Sequence, residues 1–174
     1  ATGDGFATLA LTEDSGSSDP ADVALACAVP GPLSGRKLFV KDAHVADYLI
    51  VAVREGAGVS LLLLPSDRPG ISRLPLEAIS GEKLFEVVFD GVEITAADRL
   101  GAAGAGAAAL APALTAGALA RTAEMVGGAQ RVLELVVEHA KTRVQGGRPI
   151  SGYQAIQHAC ADLVRDVDTA RGLL

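Results

Sequence analysis

The pattern of apolar residues changes near residue 100, and this change limits the chain to two kinds of structure in succession. Before it, short apolar runs alternate with turn-forming residues such as Pro30-Gly31-Pro32 and Asp90-Gly91. The runs, each of which predicts a strand, are Phe6 to Leu11, Val23 to Val29, Lys37 to Lys41, Tyr48 to Val53, Val59 to Leu64 and Leu84 to Val88. Because no helical stretch separates them, residues 1–100 favour an antiparallel β-barrel or sandwich domain over a βαβ sheet.

The spacing of apolar residues becomes helical after Gly101 to Ala109, a small-residue stretch that we interpret as a linker. A first long helix is predicted by the stripe Leu114, Ala118, Met125, Ala129, Val132, Val136 and Ala140. We expect Gly146-Gly147 and Pro149 to end it, and Ser151 to Gln154, which has the form of a capping box, to begin a second helix. The second stripe comprises Ile156, Cys160, Leu163, Val167, Ala170 and Leu174.

These two helices are expected to form only part of a larger bundle. Two long amphipathic helices cannot fully cover each other's apolar stripes, and a stable bundle normally needs three or four members. The predicted fold class is therefore α+β, with the β domain followed over residues 101–174 by two long antiparallel helices of an incomplete bundle. Since the chain also begins without Met, we expect it to be a segment of a longer protein.

The composition and residue spacing of the chain argue against several classes of function. A formal net charge of −6 argues against a nucleic-acid binder, which needs a surplus of Lys and Arg on one face. No apolar run approaches the roughly 18 residues that span a bilayer. Cys27 and Cys160 lack the spacing of a disulfide framework or a zinc site and fit a reducing cytoplasm.

Familiar catalytic motifs are not indicated. The Gly104-Ala105-Gly106 stretch lacks the βαβ context of a dinucleotide fingerprint. His44, His139 and His158 are not spaced as metal ligands, and no G-x-S-x-G elbow is found. The sequence therefore predicts neither a metal site nor nucleophilic catalysis.

Two polar patches remain as candidates for an anion site. Thr12 to Asp19 could offer hydroxyls and loop amides to an oxygen-rich ring or a pyrophosphate, or it could be only a polar turn. Arg143 could hold an anion, or it could be a solvated cation at a helix end. Gln154 could contact a ligand, or it could be only the capping partner of Ser151.

Taken jointly, several stretches resemble the acyl-CoA dehydrogenase family of flavoproteins. They are Leu11 to Asp19, Gly35 to Val40, Ala46 to Val51, Pro69-Gly70-Ile71, Val88 to Val92, Leu100 to Gly106, and Arg143 to Ile150 with Gln154, Gln157, Ala161 and Asp162. The resemblance extends over nearly the whole chain. It implies that residues 1–100 are the family's middle β domain and residues 101–174 the start of its C-terminal bundle.

The resemblance also implies an FAD site. Leu11 and Thr12 would place main-chain and hydroxyl groups at the flavin ring, and Phe39 would cover one flavin face. Ser18 would face the cofactor or the CoA part of the substrate. The residues that would reach the FAD of a partner subunit are Arg143, at its pyrophosphate, and Gln154.

Three departures from the family pattern concern catalysis. Lys41 stands where the family usually has a flavin-contacting Thr, and its side chain would swing out or lie beside the flavin edge. Gly146 replaces the usual Phe of the loop. Gly117-Ala118 stands where the family often carries an Arg, sometimes preceded by the catalytic Glu, so no catalytic residue is assigned and the base is expected past Leu174.

The expected activity is α,β-dehydrogenation of an acyl-CoA thioester in fatty acid metabolism. A carboxylate would remove the α-proton, and the β-hydrogen would leave as hydride to FAD. The implied partners are electron-transfer flavoprotein or a similar acceptor, and further subunits in a homo-oligomeric dimer or tetramer. The alternatives are a non-catalytic subunit of a heteromeric dehydrogenase, and a flavin oxidase or monooxygenase on the same scaffold.

Overall fold

The computed structural model describes residues 3 and 5–174, and these fall into two compact units that divide between Ala111 and Pro112. Strands are the main regular structure of the first unit. Its strands are β1 (Ala7–Ala10), β2 (Gly31–Lys41), β3 (Tyr48–Glu55), β4 (Gly58–Pro65), β5 (Ile71–Leu76), β6 (Leu84–Ile94) and β7 (Arg99–Leu100).

The strands form two sheets with the orders β1-β3-β4-β7 and β2-β6-β5. Their arrangement confirms the sandwich-like prediction, and the described residues form no closed barrel. One pairing differs from the expectation of antiparallel strands, because β1 pairs with β3 in parallel. The chain leaves this sheet after β1 to form β2 in the other sheet, and a connection of that length allows β3 to return in the same direction.

The core of the first unit is made by apolar side chains from both sheets. Leu33 on β2, Leu49 on β3 and Leu62 on β4 are fully buried, as are Val87 and Phe89 on β6. Each fully buried side chain of this size stabilises the fold by roughly 1.5–3 kcal/mol relative to an exposed one. Burial of these inward positions also fixes strand register, since a slip of one residue would turn them outward.

The predicted strand from Val23 to Val29 is wrong. The segment forms no strand, and Ala26 alone makes an isolated bridge, to Arg54. The carboxylate of Glu13 accepts the N–H groups of Ala24 and Leu25, at 2.9 and 3.0 Å, which ties this backbone to a side chain.

Within the first unit, β5 and the two-residue β7 were not predicted from the sequence. β5 contains Pro75 and follows Pro69-Gly70, a composition typical of turns. It pairs with β6 alone and lies at the edge of its sheet, the place in a sheet where proline is tolerated.

The Gly101 to Ala109 stretch is more than the predicted linker, because it packs on β4. A helix begins within it, at Gly106, and the Gly104 N–H donates to the Ser60 hydroxyl over 2.8 Å. A Cβ atom on Gly58 would lie 2.6 Å from Gly104 Cα, and one on Gly106 would lie 2.8 Å from the Val59 carbonyl oxygen. The glycines therefore permit a backbone approach that any side chain would prevent.

The second unit contains the two predicted helices. α1 (Gly106–Thr142) continues into it from the first unit and is followed by a short hairpin of β8 (Val144–Gln145) and β9 (Arg148–Pro149), then by α2 (Gln154–Leu173). The Arg171 guanidinium near the end of α2 donates to the Gln130 side chain on α1 over 3.0 Å. Ala140 and Ile156, near the hairpin, line one small cavity, so the helices run antiparallel as expected.

The predicted capping box is wrong. A single 3₁₀ turn covers Ile150–Gly152, and Tyr153 is the N-cap residue of α2, with no side-chain cap hydrogen bond. Gln154 is thus the first residue of the helix and not the capping partner of Ser151. Several apolar side chains of both helices remain exposed, among them Met125, whose exposed fraction is 73%, and Leu163, at 42%.

An ion pair between the half-buried Arg68 and the buried Asp98 gives the first unit a testable dependence on pH. Arg68 donates two hydrogen bonds to the Asp98 carboxylate, at 2.9 and 2.5 Å, and Thr95 donates two more, at 2.8 and 2.9 Å. The Arg68 guanidinium, aided by Thr95, holds the pKa of Asp98 well below its usual range despite burial. Its stabilisation is present above the unfolded pKa of about 3.9 and is lost as the pH falls towards the folded value.

We predict that Asp98→Asn lowers the free energy of unfolding by about 2 kcal/mol at pH 7, because the half-buried guanidinium loses its anion. The difference in free energy of unfolding between wild type and variant should be smaller when urea unfolding is repeated at pH 3, because the Asp98 carboxylate stabilises the wild type less at that pH. Asp67→Asn, at an exposed neighbouring site, is the matched control and should change little at either pH. An equal loss at both pH values would contradict the assignment.

Candidate functional site

The end of β1 and the end of β2 lie side by side in the first unit. The Leu38 N–H donates to the Thr12 carbonyl over 2.8 Å, and the Thr8 hydroxyl donates to the Lys41 carbonyl over 2.6 Å. These bonds join segments that are about 30 residues apart in sequence. They bring together four of the predicted site residues: Leu11, Thr12, Phe39 and Lys41.

Thr12 offers hydrogen-bond donors at this place. Its side chain is half-buried, and within the described part of the chain neither its amide N–H nor its hydroxyl takes part in a hydrogen bond. Leu11, by contrast, is buried, with 6% of its surface exposed. The Thr12 donors are therefore available to a ligand, while Leu11 anchors the segment in the core.

Phe39 is turned outward by an irregularity in β2. Strict alternation from Leu33 and Lys37 would place Phe39 on the inward face, but the register shifts between Lys37 and Val40, and Val40 is buried instead. Phe39 has a φ of +55° and an exposed fraction of 52%. Such a φ is unfavourable for a bulky residue, and an exposed aromatic ring gains nothing from the core, so this conformation suits contact with a ligand.

The side chain of Lys41 forms an ion pair with Glu82. Its Nζ lies 2.9 Å from the Glu82 carboxylate, and the side chain is exposed. An exposed pair of this kind contributes at most about 1 kcal/mol. The ammonium is thus loosely tethered towards Glu82, on the segment that precedes β6.

The loop from Ser15 to Asp19 uses part of its polar groups internally. The Ser17 hydroxyl donates to Asp22 over 2.6 Å and accepts the Asp19 N–H over 3.1 Å, while the Ser15 hydroxyl accepts the Ser17 N–H over 3.3 Å. Ser18 is exposed, and its hydroxyl makes no hydrogen bond to the described residues. At Ser15 and Ser17 the loop is a polar turn, whereas Ser18 keeps a hydroxyl free for a ligand.

A residue that the sequence did not single out lies beneath this surface. Lys37 on β2 has no exposed surface, and its Nζ donates to the Leu11 carbonyl over 3.0 Å and to Glu13 Oε1 over 2.6 Å. Glu13 in turn accepts the backbone N–H groups of Ala24 and Leu25. Three segments of the first unit therefore meet at one buried ion pair.

The two members of this pair affect each other's titration. Burial lowers the pKa of the Lys37 ammonium, and Glu13 partly offsets that effect. Burial acts to raise the pKa of Glu13, but the hydrogen bonds from Lys37, Leu25 and Ala24 outweigh it and leave the pKa below its ordinary value. Glu13 is therefore ionised at neutral pH and opposes loss of the proton from Lys37.

The remaining predicted residues lie in the second unit, around the hairpin between the helices. The Arg143 N–H donates to the His139 carbonyl, and the Arg143 carbonyl accepts the Ile150 N–H, each over 2.9 Å. The Arg143 side chain is exposed, and its guanidinium makes no ion pair or hydrogen bond within the described residues. Gln154, at the start of α2, is also exposed, so the hairpin region presents a cation and an amide together.

The turn of this hairpin explains why glycine stands at position 146. Gly146 has a φ of +61°, and a Cβ atom there would lie 2.3 Å from the Tyr153 hydroxyl oxygen. That hydroxyl donates to the Gln145 carbonyl over 2.9 Å, and the Arg148 guanidinium lies 4.2 Å from the centre of the Tyr153 ring. The Tyr153 hydroxyl therefore occupies the space into which a side chain at residue 146 would begin to project.

The described residues carry no metal-ligand cluster and no membrane-spanning helix. Among the described residues, no three or more His, Cys, Asp or Glu side chains are grouped closely enough to hold a metal ion. No helix in this part of the chain is long and apolar enough to cross a membrane. Cys27 and Cys160 are free thiols.

Comparison with known proteins places the chain in a family. Residues 8–92 match the acyl-CoA dehydrogenase middle domain, and residues 104–174 match the acyl-CoA dehydrogenase C-terminal domain. An acyl-CoA dehydrogenase of Bacillus subtilis is 30% identical over 185 residues, an alignment that covers 100% of this chain and 49% of the relative. The chain thus spans about half the length of the curated relatives it matches.

Solved structures agree with this comparison. Butyryl-CoA dehydrogenase from Megasphaera elsdenii has a TM-score of 0.84 at 26% identity, over 97% of this chain and 47% of that one. The FAD complex of PigA has a TM-score of 0.84 at 29% identity, over 96% of this chain and 46% of that one. With both of its domains matched in sequence and in fold, this chain belongs to the acyl-CoA dehydrogenase family.

Proposed function

We propose that this chain is the flavin-binding part of an FAD-dependent acyl-CoA dehydrogenase, which removes the α- and β-hydrogens of an acyl-CoA thioester. The observation that carries the proposal is the surface at the ends of β1 and β2, where Thr12, with its unused donors, is hydrogen-bonded to Leu38, the neighbour of Phe39, whose ring is exposed. This combination of hydrogen-bond donors and an aromatic face fits a planar, oxygen-rich ring. FAD would supply the hydride acceptor for the reaction.

The first unit would bind and tune the flavin ring. The Thr12 hydroxyl and amide would donate to ring oxygen or nitrogen atoms, and donors at those atoms favour the electron-rich reduced ring. Phe39 would cover one face of the ring, and the main chain at Leu11 would border it. Lys41, drawn towards Glu82, would leave the flavin edge open, and Ser18 would bind the cofactor or the CoA part of the substrate.

The second unit would bind the phosphate-rich part of a cofactor. A guanidinium with no carboxylate partner suits a pyrophosphate, whose oxygens it can contact with two parallel hydrogen bonds. Arg143 would make this contact and Gln154 would add an amide. We assign these two residues to the FAD of a partner subunit, which makes an oligomer, either a homo-oligomer or a heteromeric assembly, part of the proposal.

The chemical step would be carried out by groups outside this chain. No carboxylate here is assigned as the base that removes the α-proton, which would come from a later helix. Electron-transfer flavoprotein or a similar protein would accept the electrons. We further assign residues 1–100 to the middle domain, residues 101–174 to the start of the bundle, and the protein to the cytoplasm, where its free thiols would stay reduced.

The full-length protein that contains this chain is predicted to be yellow as purified. Anaerobic addition of an acyl-CoA should bleach its visible flavin absorption, because two electrons pass from the substrate to the ring. Titration with thioesters of different chain length, followed by absorbance, checks this. A flavin-loaded protein that no acyl-CoA reduces would contradict dehydrogenation and favour the non-catalytic subunit or the flavin oxidase or monooxygenase.

A substitution in the second unit tests the phosphate contact. Arg143→Gln in the full-length protein should weaken FAD binding by about tenfold or more, the effect of losing a charge-assisted hydrogen bond. Arg131→Gln removes an exposed cation of α1 that pairs with Glu134, and it should leave the affinity unchanged. Flavin fluorescence titration of both variants measures the difference. Equal affinities would remove Arg143 from the site.

A further inference from the structure

Lys37 lies where a charged side chain is least expected. It is fully buried on the inward face of β2, among the apolar side chains of the sandwich core. An ammonium in such a place is strongly unfavourable unless it is paired and its hydrogen bonds are satisfied. The two acceptors that satisfy it lie on the short segment that follows β1: the Leu11 carbonyl at 3.0 Å and Glu13 Oε1 at 2.6 Å.

This contact sets the orientation of one peptide group. The C=O of Leu11 and the N–H of Thr12 belong to the same planar trans peptide and point in opposite directions. Because the Leu11 carbonyl points inward to Lys37, the Thr12 N–H points away from it. The direction of the donor that the proposed cofactor needs is therefore set by a hydrogen bond at the opposite edge of the same peptide group.

Two further sets of hydrogen bonds hold the segment formed by residues 11–13. The Thr12 carbonyl accepts the N–H of Leu38, the residue that follows Lys37, over 2.8 Å. Glu13 holds the N–H groups of Ala24 and Leu25. Lys37 thus fixes the segment through its side chain, and β2 fixes it again through the adjacent backbone.

We propose that Lys37 is a positioning residue for the cofactor, which holds the Leu11-Thr12 peptide so that the Thr12 amide and hydroxyl face the flavin ring. The inference rests on the proposed function for the identity of the ligand. Lys37 itself lies behind the peptide and acts through it. Its pairing with Glu13 keeps the ammonium in place and ties the segment to the 24–25 backbone.

The test compares three variants of the full-length protein. Lys37→Met removes the ammonium and keeps the length of the side chain. Glu13→Gln/Lys37→Met removes both charges and keeps one side-chain oxygen, which can accept the N–H of Ala24 or of Leu25. Because it leaves no unpaired carboxylate at this place, it is the variant to measure if Lys37→Met alone does not fold. Lys83→Met makes the same change at an exposed lysine next to β6 and is the matched control.

Three measurements separate positioning from a purely structural role. They are the FAD dissociation constant, the position of the visible absorption band of the bound flavin, and hydrogen–deuterium exchange of the peptide containing Leu38 in the apo-protein. We expect both Lys37 variants to weaken FAD binding by about tenfold or more, to shift the absorption band and to speed exchange at Leu38. Lys83→Met should match the wild type in all three.

The possible outcomes decide between this inference and the proposed function. A folded Lys37 variant with wild-type FAD affinity would overturn the positioning role, whatever its thermal stability. If the wild-type protein binds no FAD, the proposed function fails, and exchange at Leu38 alone decides the inference. Faster exchange in the variants would then still support a segment held by Lys37, and unchanged exchange would overturn it.

Discussion

The surface at the ends of β1 and β2 depends on the ion pair between Lys37 and Glu13. The ion pair joins β2, the segment after β1 and the 24–25 backbone, none of which is adjacent to the others in sequence. A charge pair removed from water gains little net stability over an apolar pair of the same volume. Its value here is geometric, because an ammonium must keep both oxygens within hydrogen-bond distance and thereby fixes the direction of the Leu11 carbonyl.

The elements predicted correctly from the sequence are those in which local pattern and tertiary packing agree. The runs from Tyr48 to Val53 and from Val59 to Leu64 became β3 and β4, since their side chains fill the core. The run from Val23 to Val29 has a similar composition and formed no strand. Its backbone donors at 24 and 25 are taken by Glu13, a residue 11 positions away in sequence from the nearer of them, and no local rule contains that contact.

Next to the hairpin of the second unit, tertiary contacts likewise outweigh a local sequence pattern, the capping box. Ser151 to Gln154 has the sequence of a capping box, yet α2 begins one residue after Tyr153. The Tyr153 hydroxyl is bonded to the Gln145 carbonyl, and its ring lies under Arg148, so Tyr153 serves the hairpin as well as the helix end. The Tyr153 hydroxyl also occupies the space beside Gly146, so the Phe that the family usually has there would require Tyr153 to move.

The sequence indicated the residues of the candidate site, but it did not indicate the interactions that hold those residues in place. Leu11, Thr12, Phe39 and Lys41 were found by resemblance, and the sandwich brings them together because β1 and β2 end side by side. Lys37 was missed, although its alternation with Leu33 along β2 places it on the inward face. A charged residue at an inward strand position requires a partner of opposite charge, and Glu13 was already present in the polar patch. A cation at an inward strand position, together with an acidic residue beside a predicted binding segment, is therefore a pattern that can be read from sequence. It indicates residues that hold the binding segment in place, as distinct from residues proposed to contact the ligand.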